Sequence, residues 1–194
     1  MEPLLLEGRC VRLEPLRPDH LPGLQEAVAD GDLWKLWYTP VPSPEAMAAE
    51  IERRLRLQAE GTWLPFTVVE VSSGRVAGLT GYLNAELEHR RVEIGGTWYR
   101  RSAQRTPLNT EAKRLLLEHA FEALQCVAVE FRTSFYNHAS RRAIERLGAH
   151  QDGILRHHRI SADGVLRDTC VYSILAAEWP AVKVHLGHLL QPRD

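Results

Sequence analysis

The chain has 194 residues, of which 44% are hydrophobic and 25% charged, and a formal net charge of -1. That length suits one domain with a sizeable core, or one domain with an appended helix. The near-zero charge lacks the basic excess that bulk nucleic-acid binding requires, and Cys10, Cys126 and Cys170 lie too far apart for a metal or disulfide framework.

From the N-terminus, the opening MEPLLLEGR is too short and too acidic for a signal peptide. No apolar run reaches the roughly 18 residues of a membrane span. A cytoplasmic protein with reduced, buried cysteines is expected, engaging neither nucleic acid nor membrane.

Cys10 to Leu16 alternates apolar and polar residues as a half-buried strand does. His20 to Ala29 reads as a short amphipathic helix, followed by the Trp/Pro-rich connection LWKLWYTPVPSP. Ser43 is placed to cap a helix with Pro44 at its first position, and Met47, Ile51 and Leu55 give that helix one buried stripe. Three strand-like runs follow, Pro65 to Ser72, Val76 to Leu87 and Arg91 to Arg100, with Ser73-Gly74 turning the first pair. Asn109 to Leu124 reads as a helix capped by Asn109, with Glu111 at the positive end of its dipole. Ala128 to Phe135 is a strand, and Asn137 to Leu147 a helix capped by Asn137 and stopped by Gly148. Strands Gly153 to Ile160 and Thr169 to Leu175 flank a turn at Ala162-Asp163-Gly164, and a last helix begins near Glu178. The order predicts an α/β (α+β) fold: a mixed, mostly antiparallel twisted sheet of about seven strands with helices on both faces.

Three places carry chemistry. Arg101 to Lys113 is a basic, donor-rich elbow between a strand and a helix, where free N–H groups and the helix dipole favour an anion such as a pyrophosphate. In the strand before it, Gly95-Gly96 either marks a bulge with unpaired N–H groups or only makes room for a helix. Glu93 in that strand is either a solvated face residue or a general base. In the later helix Ser140, Ala143, Ile144 and Leu147 share one face. Ser140 thus either bonds within the first turn or lines a cleft, and Asn137 is either a cap alone or a cap that also touches a ligand.

These segments resemble GNAT-superfamily acetyltransferases. Asn137 to Ala149 (NHASRRAIERLGA) resembles that superfamily's N-x-x-S…L-G segment, and looks most like the branch of ribosomal-protein N-terminal acetyltransferases containing RimL and RimJ. Gln104 to Lys113 (QRTPLNTEAK) resembles the acetyl-CoA loop of that branch. The runs 33–37, 153–156 and 167–173 are similar too, so the likeness extends from about Leu6 to Trp179. It implies a single GNAT domain over 1–194 with a C-terminal helix.

The resemblance also implies activity and site residues. An acetyl group would pass from acetyl-CoA, used as co-substrate with no metal, directly to a primary amine of a protein N-terminus or small molecule. The N–H groups of Leu108, Asn109 and Thr110 would hold the pyrophosphate, beside Thr106 and the charges of Arg101 and Arg105. The strand around Trp98, Tyr99 and Arg100 would hold the pantetheine arm and acetyl carbonyl. A strand amide near Trp98 or Tyr99 would stabilise the oxyanion, a contact worth roughly 2.7–4 kcal/mol. Asn137 and Ser140 would line the thiol end, with Glu93 the base and Ser140 the donor to the leaving thiolate. Trp34, Trp37 and Tyr38 would wall the acceptor cleft or serve as core aromatics, and Asp168 would anchor an amine or pair with Arg156 or Arg159.

The chain departs from the pattern at Pro107, which cannot donate an N–H where the loop carries glycine. It departs again at Ser134, where an acidic residue is common, and at Ile144, where many relatives place a tyrosine acid. These leave two rivals open: a catalytically idle coenzyme A or partner-binding module, and a transferase for an aminoglycoside, amino acid or peptide antibiotic. No histidine spacing forms a metal array, and Leu186, Leu189 and Leu190 offer a possible homodimer contact.

Overall fold

The structure is a computed structural model and describes residues 2–161 and 163–191. Ala162 of the expected turn lies outside the described residues. Among those described, eight strands form one sheet in the order β1-β2-β3-β4-β5-β6-β8-β7. They are β1 (Leu6–Glu7), β2 (Val11–Pro15), β3 (Leu64–Glu70), β4 (Val76–Glu86), β5 (Arg91–Tyr99), β6 (Ala128–Ser134), β7 (His150–Ile160) and β8 (Leu166–Leu175). The eighth strand beyond the seven expected is β1, whose two residues pair with β2 but are too few to show alternation.

All neighbouring strands run antiparallel except β5 and β6. That parallel pair is joined by α3 (Pro107–Glu118), as a crossover between parallel strands requires. The other helices are α1 (Leu21–Ala29), α2 (Met47–Ala59), α4 (His138–Glu145) and α5 (Trp179–Leu189). Leu24, Val28, Met47 and Ile51 from α1 and α2 pack with Leu79 and Trp98 on one side of the sheet. Leu108 and Leu116 of α3, Ile144 of α4, and Val182 and Leu186 of α5 pack with Tyr82, Ile94, Phe131 and Tyr172 on the other. Helices therefore cover both faces, and each fully buried leucine contributes roughly 1.5–3 kcal/mol.

Two helix starts differ from the sequence expectation. α2 begins at Met47; Ser43 Oγ instead accepts from Ala46 N at 3.3 Å and organises a turn before the helix. α3 begins at Pro107 with Thr106 as its cap, so Asn109 is not the cap. Proline at the first helical position gives up a donor that would have no intrahelical partner. Glu111 does not serve the dipole either. It turns to the β1–β2 loop and accepts from the amides of Arg9, Cys10 and Val11 at 3.0, 2.6 and 3.1 Å. Leu186 and Leu190 are buried and Leu189 packs against the same core, so these three leucines, expected as a dimer contact, pack into their own fold.

Candidate active site

β5 and β6 pair only through Arg91–Glu93 and Ala128–Glu130. Beyond Glu93 the two strands separate, while β5 stays zipped to β4 and β6 to β8. The result is a wedge in the middle of the sheet. Its β5 edge carries backbone groups with no strand partner, a natural seat for an amide-bearing chain.

The bulge lies on this edge. Leu79 pairs with Trp98 and Gly81 with Gly95, so Gly96 and Thr97 stand opposite Thr80 alone. Gly96 has φ +59, and a Cβ there would sit 3.1 Å from Arg54 Nη1. Both the left-handed backbone and the close guanidinium call for glycine. Arg54 of α2 is almost fully buried; it donates to Gly96 O at 3.0 Å and to Glu50 at 2.7 Å. The double glycine is thus a true bulge.

Glu93 sits at the apex of the wedge and is only 7% exposed. Asn84 Nδ2 donates to it at 2.7 Å, and Arg132 lies 3.8 Å away. Asn84 has φ +46 at an irregularity where β4 slips against β5, which turns its amide toward Glu93. Burial raises the Glu93 pKa above the ordinary carboxylate value, and Asn84 and Arg132 only partly offset this. Beside it opens a cleft of about 350 Å³, lined by Thr62, Asn84, Ala85, Glu86, Arg132 and Arg159.

The elbow occupies the far end of β5. Asp30 fixes it, accepting at Oδ2 from Ser102 N at 3.2 Å and at its carbonyl from Arg101 N at 3.0 Å. Gln104 Nε2 donates to Tyr99 O at 3.0 Å, and Thr106 Oγ1 to Ala103 O at 2.7 Å. Arg101 and Arg105 are exposed, while Asn109 Oδ1 is enclosed without a protein partner. First-turn amides and two exposed guanidinium groups fit an anionic ligand, while the Asn109 oxygen can only accept from a donor. The Thr110 hydroxyl accepts from Arg146 at 3.0 Å, a bond that does not involve the backbone N–H expected at the pyrophosphate.

The side chains of Trp98, Tyr99 and Arg100 turn away from the wedge, so any contact there falls to the backbone near Trp98 and Tyr99, where the oxyanion donor was expected. Arg100 is buried, bound to Glu70 at 2.9 Å and to Val76 O at 3.2 Å, so its charge does not face the wedge. Trp98 and Tyr99 bury their rings in the two cores.

Across the wedge, Asn137 caps α4, accepting from Ser140 N at 3.0 Å. Ser140 is half-buried, and Ile144 lies in the core, where it can carry no proton. Trp37 is 60% exposed and stacks obliquely on Tyr136 with ring centroids 5.4 Å apart. The connector after α1 therefore meets the β6–α4 loop directly. Tyr38 lies edge-on to Trp37, whereas Trp34 packs on the core beneath α1 and α2. Asp168 accepts from Arg156 Nε at 2.7 Å and His157 N at 2.8 Å, the ion-pair alternative of the two foreseen for it. No group of His, Cys, Asp and Glu among the described residues is arranged to hold a metal ion.

Sequence reasoning missed Asn84, Arg54 and Lys113. Lys113 is buried between α3 and the bulge, its Nζ donating to Thr97 Oγ1 at 2.7 Å and Thr80 Oγ1 at 3.0 Å. The first had a signal, an asparagine inside a strand pattern.

The family model described as Acetyltransferase (GNAT) domain matches residues 11–150. The chain belongs to this GNAT acetyltransferase family. The solved structure of a putative acetyltransferase from T. thermophilus is 38% identical with a TM-score of 0.86, covering 98% of this chain and 99% of that one. The Bacillus subtilis protein "Putative ribosomal N-acetyltransferase YdaF" is 30% identical over 57% of this chain and 59% of its own length. Mycobacterium smegmatis RimJ in complex with CoA-disulfide shares the fold, with a TM-score of 0.77 at 22% identity over 97% of this chain and 93% of that one. The protein is thus a GNAT N-acetyltransferase, in a family that uses acetyl-CoA.

Proposed function

We propose that this GNAT enzyme acetylates the N-terminal amine of a protein or peptide. The observation that carries this reading is the buried Glu93 at the wedge apex, opening onto a cleft whose charges balance. Glu86, Arg132 and Arg159 line it, and the buried Glu93 lies 3.8 Å behind Arg132, so two carboxylates meet two guanidinium groups. A polycationic drug would need a strongly acidic cleft, whereas a peptide terminus needs one carboxylate for its amine and neutral surroundings for its backbone.

The chain's own residues then divide the work. Acetyl-CoA supplies the acetyl group as a thioester. The first-turn amides of α3 at Leu108, Asn109 and Thr110, with Arg101 and Arg105, hold its phosphates. The open edge of β5 from Thr97 to Tyr99 orients its amide-bearing arm through backbone groups. Glu93 takes the proton that the ammonium must lose before attack, and its raised pKa brings it nearer to that task. Ser140 stands on the opposite wall, placed to donate to the departing thiolate. Trp37 and Tyr136 form the rim against which the residues after the acceptor amine lie.

The test is a panel of peptides with free or blocked N-termini, together with aminoglycosides and free amino acids, incubated with acetyl-CoA and read by mass spectrometry. Acetylation of free peptide termini supports the reading. Acetylation confined to aminoglycosides or amino acids, or coenzyme A binding without any transfer, would overturn it.

A further inference from the structure

The bulge of β5 is held from both faces by a buried cation. Arg54 grips Gly96 O from the α2 side, with Glu50 as its counter-ion. From the α3 side Lys113 grips Thr97, and no carboxylate pairs with it among the described residues. Its two hydroxyl partners, Thr80 and Thr97, lie 2.8 Å from each other. An enclosed ammonium without a counter-ion is costly. Two threonines could satisfy one another, and a leucine or methionine at position 113 would pack against α3's neighbours without that cost.

We infer that Lys113 is a positioning residue of the acetyl-CoA site, tying Thr97 and Thr80 to α3 so that the backbone after the bulge keeps its place on the open edge of β5. This rests on the acetyl-CoA reading given above. Lys113 stands on the helix whose first turn is the anion seat, five residues beyond Leu108 and thus about 7.5 Å along the axis. Its side chain leans back toward that end.

The placement couples protonation to binding. Burial alone brings the Lys113 pKa down to about 7. The titratable groups on the surrounding elements do not offset this. Glu111 is bound to the amides of residues 9–11, and the Cys10 thiol is pushed up to about 12 by burial. Tyr82 donates to Leu116 O, burial keeps Tyr99 neutral, and His119 is held neutral by its own burial. Arg146 is engaged with Thr110. An anion arriving at the α3 N-terminus favours the ammonium, so acetyl-CoA binding draws a proton onto Lys113.

Calorimetry of acetyl-CoA binding at pH 7.5, in two buffers of different ionisation enthalpy, tests this without any acceptor. The wild type is expected to take up a few tenths of a proton more than Lys113→Met. The variant is expected to stay folded, to melt higher at pH 7 and to bind acetyl-CoA at least tenfold more weakly. Thr97→Val keeps the volume, removes one of the two contacts and is expected to weaken binding three- to tenfold. Binding within twofold of wild type in both variants, or equal proton uptake by wild type and Lys113→Met, would overturn the inference. A wild type that binds acetyl-CoA but transfers to no amine would remove the proposed reaction while leaving this test readable. A wild type that binds no acetyl-CoA would remove both.

Discussion

The Asn84 side-chain amide donates to the Glu93 carboxylate at 2.7 Å, inside the apex of the wedge between β5 and β6. That bond favours the ionised carboxylate, while burial opposes it more strongly. Glu93→Gln is expected to lower kcat/KM for the acceptor peptide by about 10²–10⁴, the range of a general base. It should leave acetyl-CoA affinity close to wild type.

Asn84→Ala gives the complementary reading. Without its donor the carboxylate holds its proton more tightly, so the acid limb of kcat/KM against pH moves to higher pH. Peptide acetylation measured across pH 5–9 checks the direction. An unmoved acid limb would show that another group controls proton removal.

Lys113 gives stability an unusual slope against pH. Its folded pKa of about 7 lies below the ordinary lysine value of 10.5, so between those values the unfolded chain binds more protons. Stability is lowest, on this account, below pH 7 and rises with pH by up to about 1.4 kcal/mol per unit across the window. Lys113→Met removes that slope. Urea denaturation at pH 6.5, 8 and 9.5 is expected to show the variant's advantage shrinking as pH rises.

Much of the fold was legible because alternation and helical stripes report burial directly. Met47 and Ile51 are buried as their spacing predicted, and Ser73-Gly74 turns its hairpin as expected. The β5 bulge was legible as a pair of glycines. Other features depend on long-range partners that local pattern cannot carry. Arg100 was expected on the strand that holds the pantetheine arm, yet Glu70 and Val76 O claim its side chain from a strand pair away. Lys113 closed the basic elbow in sequence with no role of its own, because its threonine partners are remote in sequence.

Pro107 shows the same limit at the elbow. As a loop residue it would be a missing phosphate donor; at the first position of α3 it costs the helix nothing. Pro107→Ala is therefore expected to change stability by no more than about 0.5 kcal/mol in a urea melt. Thr106→Ala removes the cap, whose bond to Leu108 N is long at 3.4 Å, and should cost about 0.5–1 kcal/mol in a urea melt.

The rim tests the acceptor assignment. Trp37 is exposed and touches Tyr136 and Tyr38 rather than either core, so its removal leaves packing intact. Trp37→Ala should alter stability by no more than about 0.5 kcal/mol. If the rim seats the residues that follow the acceptor amine, the same variant raises KM for a peptide by several fold and leaves kcat within twofold. A lost uniform binding contact produces that split. The effect should grow from a dipeptide to a hexapeptide, since only the longer chain reaches the rim, and steady-state kinetics on that series reads it directly. Equal losses for both lengths would place Trp37 away from the peptide's path.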